Sequence, residues 1–290
     1  MTVRPDVQAF LHQPTGTWTY LVADPQSQRA AVIDPVLDFD AKSGRTWTEA
    51  ADAVIARARR ERLTVDWVLE THAHADHLSS APYVQAALGG KIAIGRGICE
   101  VQRAFRDILN LGAEFPVDGR QFDHLFADGE EFAIGALAAR TIPTPGHTSD
   151  SLSYLVGDAL FTGDSIFMPD GGTARCDFPG GDAKSLYASI RRLYELPPDT
   201  RVFVCHDYGP GGREVACETT IAAERGGNIH VRDGTTEAEF VELRTKRDAG
   251  LELPTLIYPA VQFNIRGGRP PPAESNGRSY LKLPMSGPDG

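Results

Sequence analysis

Between Glu70 and Ser80 the chain reads ETHAHADHLSS, which places His72, His74, Asp76 and His77 within six residues. The whole chain has only eight histidines, so three in one short stretch call for a chemical reason. Imidazole and carboxylate are borderline-to-hard ligands that suit zinc, iron or manganese. Further candidates recur downstream: His147 closes TIPTPGH, Asp164 closes ALFTGD and His206 closes VFVCH. Together these seven side chains offer five imidazoles and two carboxylates. None is a cysteine, which argues against a structural zinc site, since such sites are usually thiolate-rich and closed. His12, His124 and His230 stand apart and read as ordinary hydrogen-bonded histidines.

Each candidate follows an apolar run that reads as a β-strand. Strand ends along one edge of a sheet are where sites are commonly built in layered α/β structures. Residues two apart in extended backbone point the same way, so His72 and His74 can converge on one point. Asp76 falls where the chain turns toward a helix and could cap its first amides instead of ligating.

The elements that must position these residues can be read from periodicity and turn residues. TWTYLVAD and QRAAVIDPV predict two strands joined by a polar turn. WTEAADAVIARARRE has helical periodicity, VDWVLE is a short strand, and Leu78 to Leu88 predicts a helix ended by Gly89-Gly90. KIAIG predicts a strand and CEVQRAFRDILNLG a helix. In the second half, EEFAIGALAARTIPTPGH predicts two strands around Gly135, and SLSYLVGDALFTGD a hairpin turning at Gly157-Asp158. DAKSLYASIRRLYEL predicts an amphipathic helix and RVFVCHD a buried strand, followed by helices near 214–224 and 237–248. The two halves resemble stacked β/α units without a fixed repeat. Two regions follow: a domain over 1–250, and a Pro/Gly-rich extension over 251–290 with little regular structure. Apolar residues Leu256, Ile257, Val261, Phe263, Tyr280 and Leu281 predict that the extension wraps the domain.

Composition narrows the function classes. The 290 residues are 41% hydrophobic and 23% charged, an ordinary globular balance, with a formal net charge of −10. That charge argues against a nucleic-acid partner. It also means that an anionic substrate would need a local cluster of arginine or lysine. No apolar run approaches membrane-spanning length, and the N-terminal residues lack the apolar core of a secretory signal. Cys99, Cys176, Cys205 and Cys217 show no CxxC spacing, so they predict reduced thiols and a cytoplasmic location. Cys205 abuts His206, but a small core residue ending a strand is the simpler reading.

THAHADH, TPGHTSDSLSYLVGD, LFTGDSIF and VFVCHDYGPGG resemble the metallo-β-lactamase superfamily, and most closely its glyoxalase II branch. The resemblance covers roughly residues 5 to 250. Within that branch, GTARCDFPGGDAKSLYASIRRL and CHDYGPGG are similar to the persulfide dioxygenases, and the Pro-rich tail is similar to their bacterial glutathione-dependent members. The resemblance implies an α+β fold, an αββα sandwich of two mixed β-sheets flanked by helices. It implies glutathione persulfide and O2 as substrates, with sulfite and glutathione as products. It also implies one Fe(II) per chain, held by His72, His147 and Asp164. Two histidines and one carboxylate leave about three coordination positions open. Iron supplies one-electron oxygen chemistry that zinc, lacking redox states, cannot.

His74, Asp76, His77 and His206 are then either an orienting shell or ligands of a second metal, as in a zinc-dependent glyoxalase II-type thioester hydrolase. That hydrolase is the alternative function. By the same resemblance Arg213 is a candidate for a glutathione carboxylate, Arg175 with Asp177 for fixing the loop beside the site, and Tyr208 for a hydrogen bond to substrate. PDGGTARC has glycines where some relatives carry an aromatic, so an aromatic substrate contact there would be lost. Nothing in the sequence excludes a homodimer.

Overall fold

The computed structural model describes residues 4–285. Two six-stranded sheets face each other. The first has the order β1 (Asp6–His12), β2 (Thr17–Ala23), β3 (Arg29–Ile33), β6 (Thr64–Leu69), β8 (Lys91–Gly95), β9 (His124–Phe126). Its first three strands run antiparallel and β3, β6, β8 and β9 run parallel, so the sheet is mixed. The second sheet runs β10 (Glu131–Ile134), β11 (Leu137–Pro143), β12 (Leu152–Val156), β13 (Ala159–Phe161), β14 (Arg201–Phe203), β15 (Glu218–Thr220). It is antiparallel except between β13 and β14. A small third sheet joins β5 (Arg45–Trp47), β4 (Val36–Asp40) and β7 (Leu78–Ser79).

Period-two alternation explains the layering. Tyr20, Val22, Ala31 and Ile33 point between the sheets, where they meet Ile134, Tyr154, Phe161 and Phe203. Their neighbours Leu21, Ala30 and Val32 point outward, onto helices α1 (Glu49–Arg60), α2 (Ala81–Leu88) and α3 (Ile98–Ile108). These strands are buried on both faces, which is why TWTYLVA and RAAVI read as nearly continuous apolar runs. On the far side, Leu160 and Val202 pack against Leu186, Ile190 and Leu193 of α4 (Ala183–Leu193), Ile221 of α5 (Ile221–Gly227) and Phe240 of α6 (Glu237–Asp248). The αββα sandwich of two mixed sheets is therefore the observed fold. Each fully buried Leu, Ile or Phe in these layers contributes roughly 2 kcal/mol.

Local signals set the helix starts. Asp182 accepts the Ser185 N–H at the head of α4, and Thr236 with Glu239 forms a reciprocal capping box on α6. The turn at Gly157-Asp158 joins β12 to β13, with Gly157 at φ +57°.

Three expectations need correction. The helix predicted from Leu78 begins at Ala81, because Leu78 and Ser79 pair with Leu37 and Val36 as β7, and Pro82 then sits in the first helical turn. The helix predicted over 214–224 begins at Ile221. Glu218–Thr220 pairs with β14 instead, and the Thr220 side chain accepts the Ala223 N–H as the helix cap. The extension after residue 250 contains a helix, α7 (Ile257–Asn264). Ile257 and Val261 join the core beneath α1 and α2, while Ala260, Phe263 and Leu281 pack with Leu78. Of the apolar residues singled out in the extension, Leu256, Ile257, Val261, Phe263 and Leu281 pack on the rest of the chain, whereas Tyr280 is exposed.

Candidate metal centre

All seven candidate ligands come together beyond the ends of β6, β11, β13 and β14. The glycines before two of them allow close packing there. Gly146 has φ +143°, and a Cβ on it would strike the backbone of Leu186, so the loop before His147 lies directly on α4. Gly163 has φ +50°, and a Cβ there would strike the Thr71 side chain, which presses the Asp164 loop against the start of the histidine stretch.

His72, His147 and Asp164 form one group whose ligand atoms lie within 4.8 Å of one another, and His74, Asp76 and His77 form a second. Asp164 Oδ2 is 4.0 Å from His72 Nε2 and 3.6 Å from His147 Nε2. His206 joins the two groups: its Nε2 is 3.3 Å from both Asp164 Oδ1 and Asp76 Oδ2. The rings of His72 and His74 are 4.0 Å apart, yet their nitrogens belong to different groups.

The outward ring nitrogens are set by hydrogen bonds on the opposite side of each ring. His147 Nδ1–H donates to the Arg175 carbonyl at 2.8 Å, and His206 Nδ1–H to the Gly16 carbonyl at 3.2 Å. His72 Nδ1 faces Thr71 Oγ1 at 3.1 Å. Such partners fix the tautomer and leave Nε2 as the lone pair. The Nε2 atoms of His72, His77 and His206, and Asp164 Oδ1, are buried with no aligned hydrogen-bond partner. Buried polar groups are normally satisfied; unpartnered ligand atoms in both groups and on His206, which joins them, fit a centre built for cations.

The electrostatics agree. Burial pushes the imidazoles of His72 and His74 well below their ordinary value, so both are neutral and ready to ligate. Burial opposes ionisation of Asp76, but the imidazoles of His206 and His77 outweigh it and hold its carboxyl well below the usual range. Burial likewise opposes charging of His206, but Asp164 and Asp76 prevail and raise it. Behind this set, burial raises Asp34 and Glu70, which face His74 Nε2 at 3.0 and 3.7 Å.

A cavity of about 370 Å³ opens onto the centre, lined by Asp76, His147, Asp164 and His206. Tyr208 and Arg175 also line it, as does a set that sequence reading missed: Phe167, Phe178, Arg244 and Arg247. Larger hollows of about 500 and 570 Å³ lie under the C-terminal extension and hold none of the seven candidate ligands. Arg175 is paired with Asp177 at 2.6 Å and donates to the Glu252 carbonyl, so it ties the His147 loop to the base of the extension. Arg244 is paired with Asp248 and donates to the Thr173 carbonyl. Arg247 is exposed and has no carboxylate partner among the described residues.

Arg213 requires a correction. It lies outside the cavity lining, and its five N–H donors are all engaged: by Asp170, by Asp207 and by the Glu214 carbonyl. It clamps the segment after His206 and has no donor free for a substrate carboxylate. The three histidines outside the cluster are hydrogen-bonded as expected: His12 to Thr15, His124 to Glu130, and His230 to Thr173. Cys205 is buried, and burial raises its thiol well above the ordinary value, which keeps it protonated.

Residues 12–206 match the family model of the metallo-β-lactamase superfamily. The chain belongs to that superfamily. It is 50% identical to a probable metallo-hydrolase of Burkholderia pseudomallei, over 96% of this chain and 98% of the relative. It is 30% identical to the human mitochondrial persulfide dioxygenase ETHE1, over 87% and 84% of the two chains. The crystal structure of ETHE1 from Myxococcus xanthus superposes with a TM-score of 0.71 at 31% identity, covering 91% of this chain and all of that one. The relatives of this metallo-β-lactamase member therefore include a named hydrolase and a named dioxygenase. No helix among the described residues is long and apolar enough to cross a membrane.

Proposed function

We propose that this protein is a persulfide dioxygenase that converts glutathione persulfide, O2 and water into glutathione, sulfite and two protons. The group formed by His72, His147 and Asp164 carries the reading, since two imidazoles and one carboxylate are the ligand set of non-haem Fe(II) oxygenases. The likeness to persulfide dioxygenases over most of the chain supports it. When bound there, iron would supply the redox chemistry that joins O2 to the terminal sulfur. The reaction balances without another reductant: the sulfur gives up four electrons, O2 accepts four, and water provides the third sulfite oxygen.

The chain's own residues have three tasks in this reading. The carbonyls of Arg175 and Gly16 hold His147 and His206 with Nε2 turned inward. Phe167 and Phe178 give the cavity apolar walls beside the polar centre. Arg247 offers an unpaired guanidinium to a tripeptide persulfide that carries two carboxylates, on a chain whose net charge of −10 would otherwise repel it. Arg247→Ala is accordingly expected to raise KM for glutathione persulfide about tenfold with kcat nearly unchanged, because it removes binding shared by ground and transition states. An unchanged KM would take Arg247 out of the recognition site.

The second reading is a dinuclear thioester hydrolase. It is favoured by the group His74, Asp76 and His77, which Asp164 and His206 connect to the first, and by the relative named as a metallo-hydrolase. Oxygen uptake and sulfite formation from glutathione persulfide, measured beside hydrolysis of S-lactoylglutathione, separate the two. Uptake matched by sulfite supports the dioxygenase; hydrolysis without uptake rejects it.

A further inference from the structure

The loop between Leu69 and Leu78 carries four candidate ligands and contains no helix or strand. Side chains from distant segments hold its backbone instead. Asp34 accepts the Thr71 N–H at 2.7 Å, and Asp150 accepts the Ala73 N–H at 2.9 Å. The third holding group comes from the C-terminal extension. Asn264, at the end of α7 and 5% exposed, donates from Nδ2 to the carbonyls of His74 and His77, both at 2.8 Å. Its Oδ1 accepts the Ser79 N–H at 2.9 Å. Neither carbonyl has another donor among the described residues. One planar amide thus fixes both ends of the segment between two imidazoles whose rings lie 4.1 Å apart.

The surrounding packing makes this bridge rigid. Phe263 and Ala260 pack on Leu78. Gln102 Nε2 donates to the Ile265 carbonyl at 2.9 Å and anchors the end of α7 to α3. Gly268, at φ +76°, lies so close that a Cβ there would contact the Ser79 carbonyl and Pro82. The extension is therefore seated against the ligand loop at several points, and Asn264 is the side chain that reaches the loop carbonyls.

We propose that Asn264 is a positioning residue of the metal centre. By bridging the His74 and His77 carbonyls it sets the separation of these imidazoles, so the C-terminal extension governs metal affinity. The inference concerns metal binding at the group of His74, Asp76 and His77, and it is tested without either reaction discussed above. Asn is suited to the task because its amide supplies two N–H donors and one acceptor in a plane. An aspartate of the same shape has the acceptor but no donor, and would set its oxygens against two carbonyls.

The test uses full-length, metal-free protein titrated with Co(II), whose visible absorption reports ligand geometry. Asn264→Asp is expected to weaken at least one Co(II) equivalent by roughly ten- to a hundredfold, the range typical of groups that orient ligands, and to alter the absorption bands. Asn264→Ser retains one hydroxyl donor and should fall between that variant and the unmodified protein. Arg269→Ala, which removes a bond from the extension to the Gln121 carbonyl, should titrate like the unmodified protein. Unaltered affinity and bands in folded Asn264→Asp would overturn the proposal; if that variant does not fold, the same result in Asn264→Ser would do so. An equal loss in Arg269→Ala would also overturn it, because general packing of the extension would then be responsible.

Discussion

Asp164→Ala is expected to abolish activity and to leave the purified protein with little or no metal. Asp164 faces three of the imidazoles: Oδ2 faces His72 and His147, and Oδ1 faces His206. Its removal leaves those three imidazoles without the charge that would accompany a cation. The affinity loss should exceed the roughly 10–100-fold seen when groups that only orient ligands are changed. The sheets do not depend on Asp164, so far-ultraviolet circular dichroism should be preserved. Metal analysis of the folded variant decides the matter, and full metal content in Asp164→Ala would show that another carboxylate anchors the cation.

Asp34→Ala is expected to be the most destabilising single change behind the centre. Asp34 is 2% exposed, sits at φ +50°, and accepts from the Thr71 N–H and the Thr71 hydroxyl at 2.7 and 2.9 Å. It also faces His74 Nε2 at 3.0 Å. Alanine tolerates positive φ less well than Asp, at about 1 kcal/mol, and each buried donor left unpaired costs about 1–3 kcal/mol. A loss of roughly 4 kcal/mol in denaturant unfolding is expected, together with weaker metal binding. Asp34→Asn keeps an acceptor and the tolerance for positive φ, so it should recover most of the stability. A change of under about 1 kcal/mol in Asp34→Ala would show that the loop is held without it.

Much of this arrangement was legible in the chain. The candidate ligands could be found because they recur at the ends of apolar runs. The strands and helices were legible in their periodicity, and their layering in the resemblance of the histidine, glycine and aspartate motifs to the metallo-β-lactamase superfamily. What escaped were partnerships across long separations. Arg213 read as free because nothing in GPGGRE reveals Asp170, which lies 43 residues away and takes two of its donors. Arg247 drew no attention in the sequence because the cavity beside α6 is built by loops from elsewhere. Helix α7 was hidden by the prolines around it; eight residues form a helix here because burial of Ile257, Val261 and Phe263 outweighs weak local propensity. Asn264 is a lone polar residue in the sequence, and its meaning lies 187 to 190 residues upstream.

The activity proposed for this centre is iron-dependent oxidation of a persulfide. One metal-free preparation, divided and reconstituted anaerobically with Fe(II) or Zn(II), tests it most directly. Each portion is then given glutathione persulfide under oxygen and, separately, S-lactoylglutathione. The expected result is oxygen uptake matched by sulfite in the iron portion alone, near one iron per chain, with no thioester hydrolysis in either portion. Thioester hydrolysis by the zinc portion, with no oxygen uptake by the iron portion, would contradict the claim and assign the centre to the hydrolases.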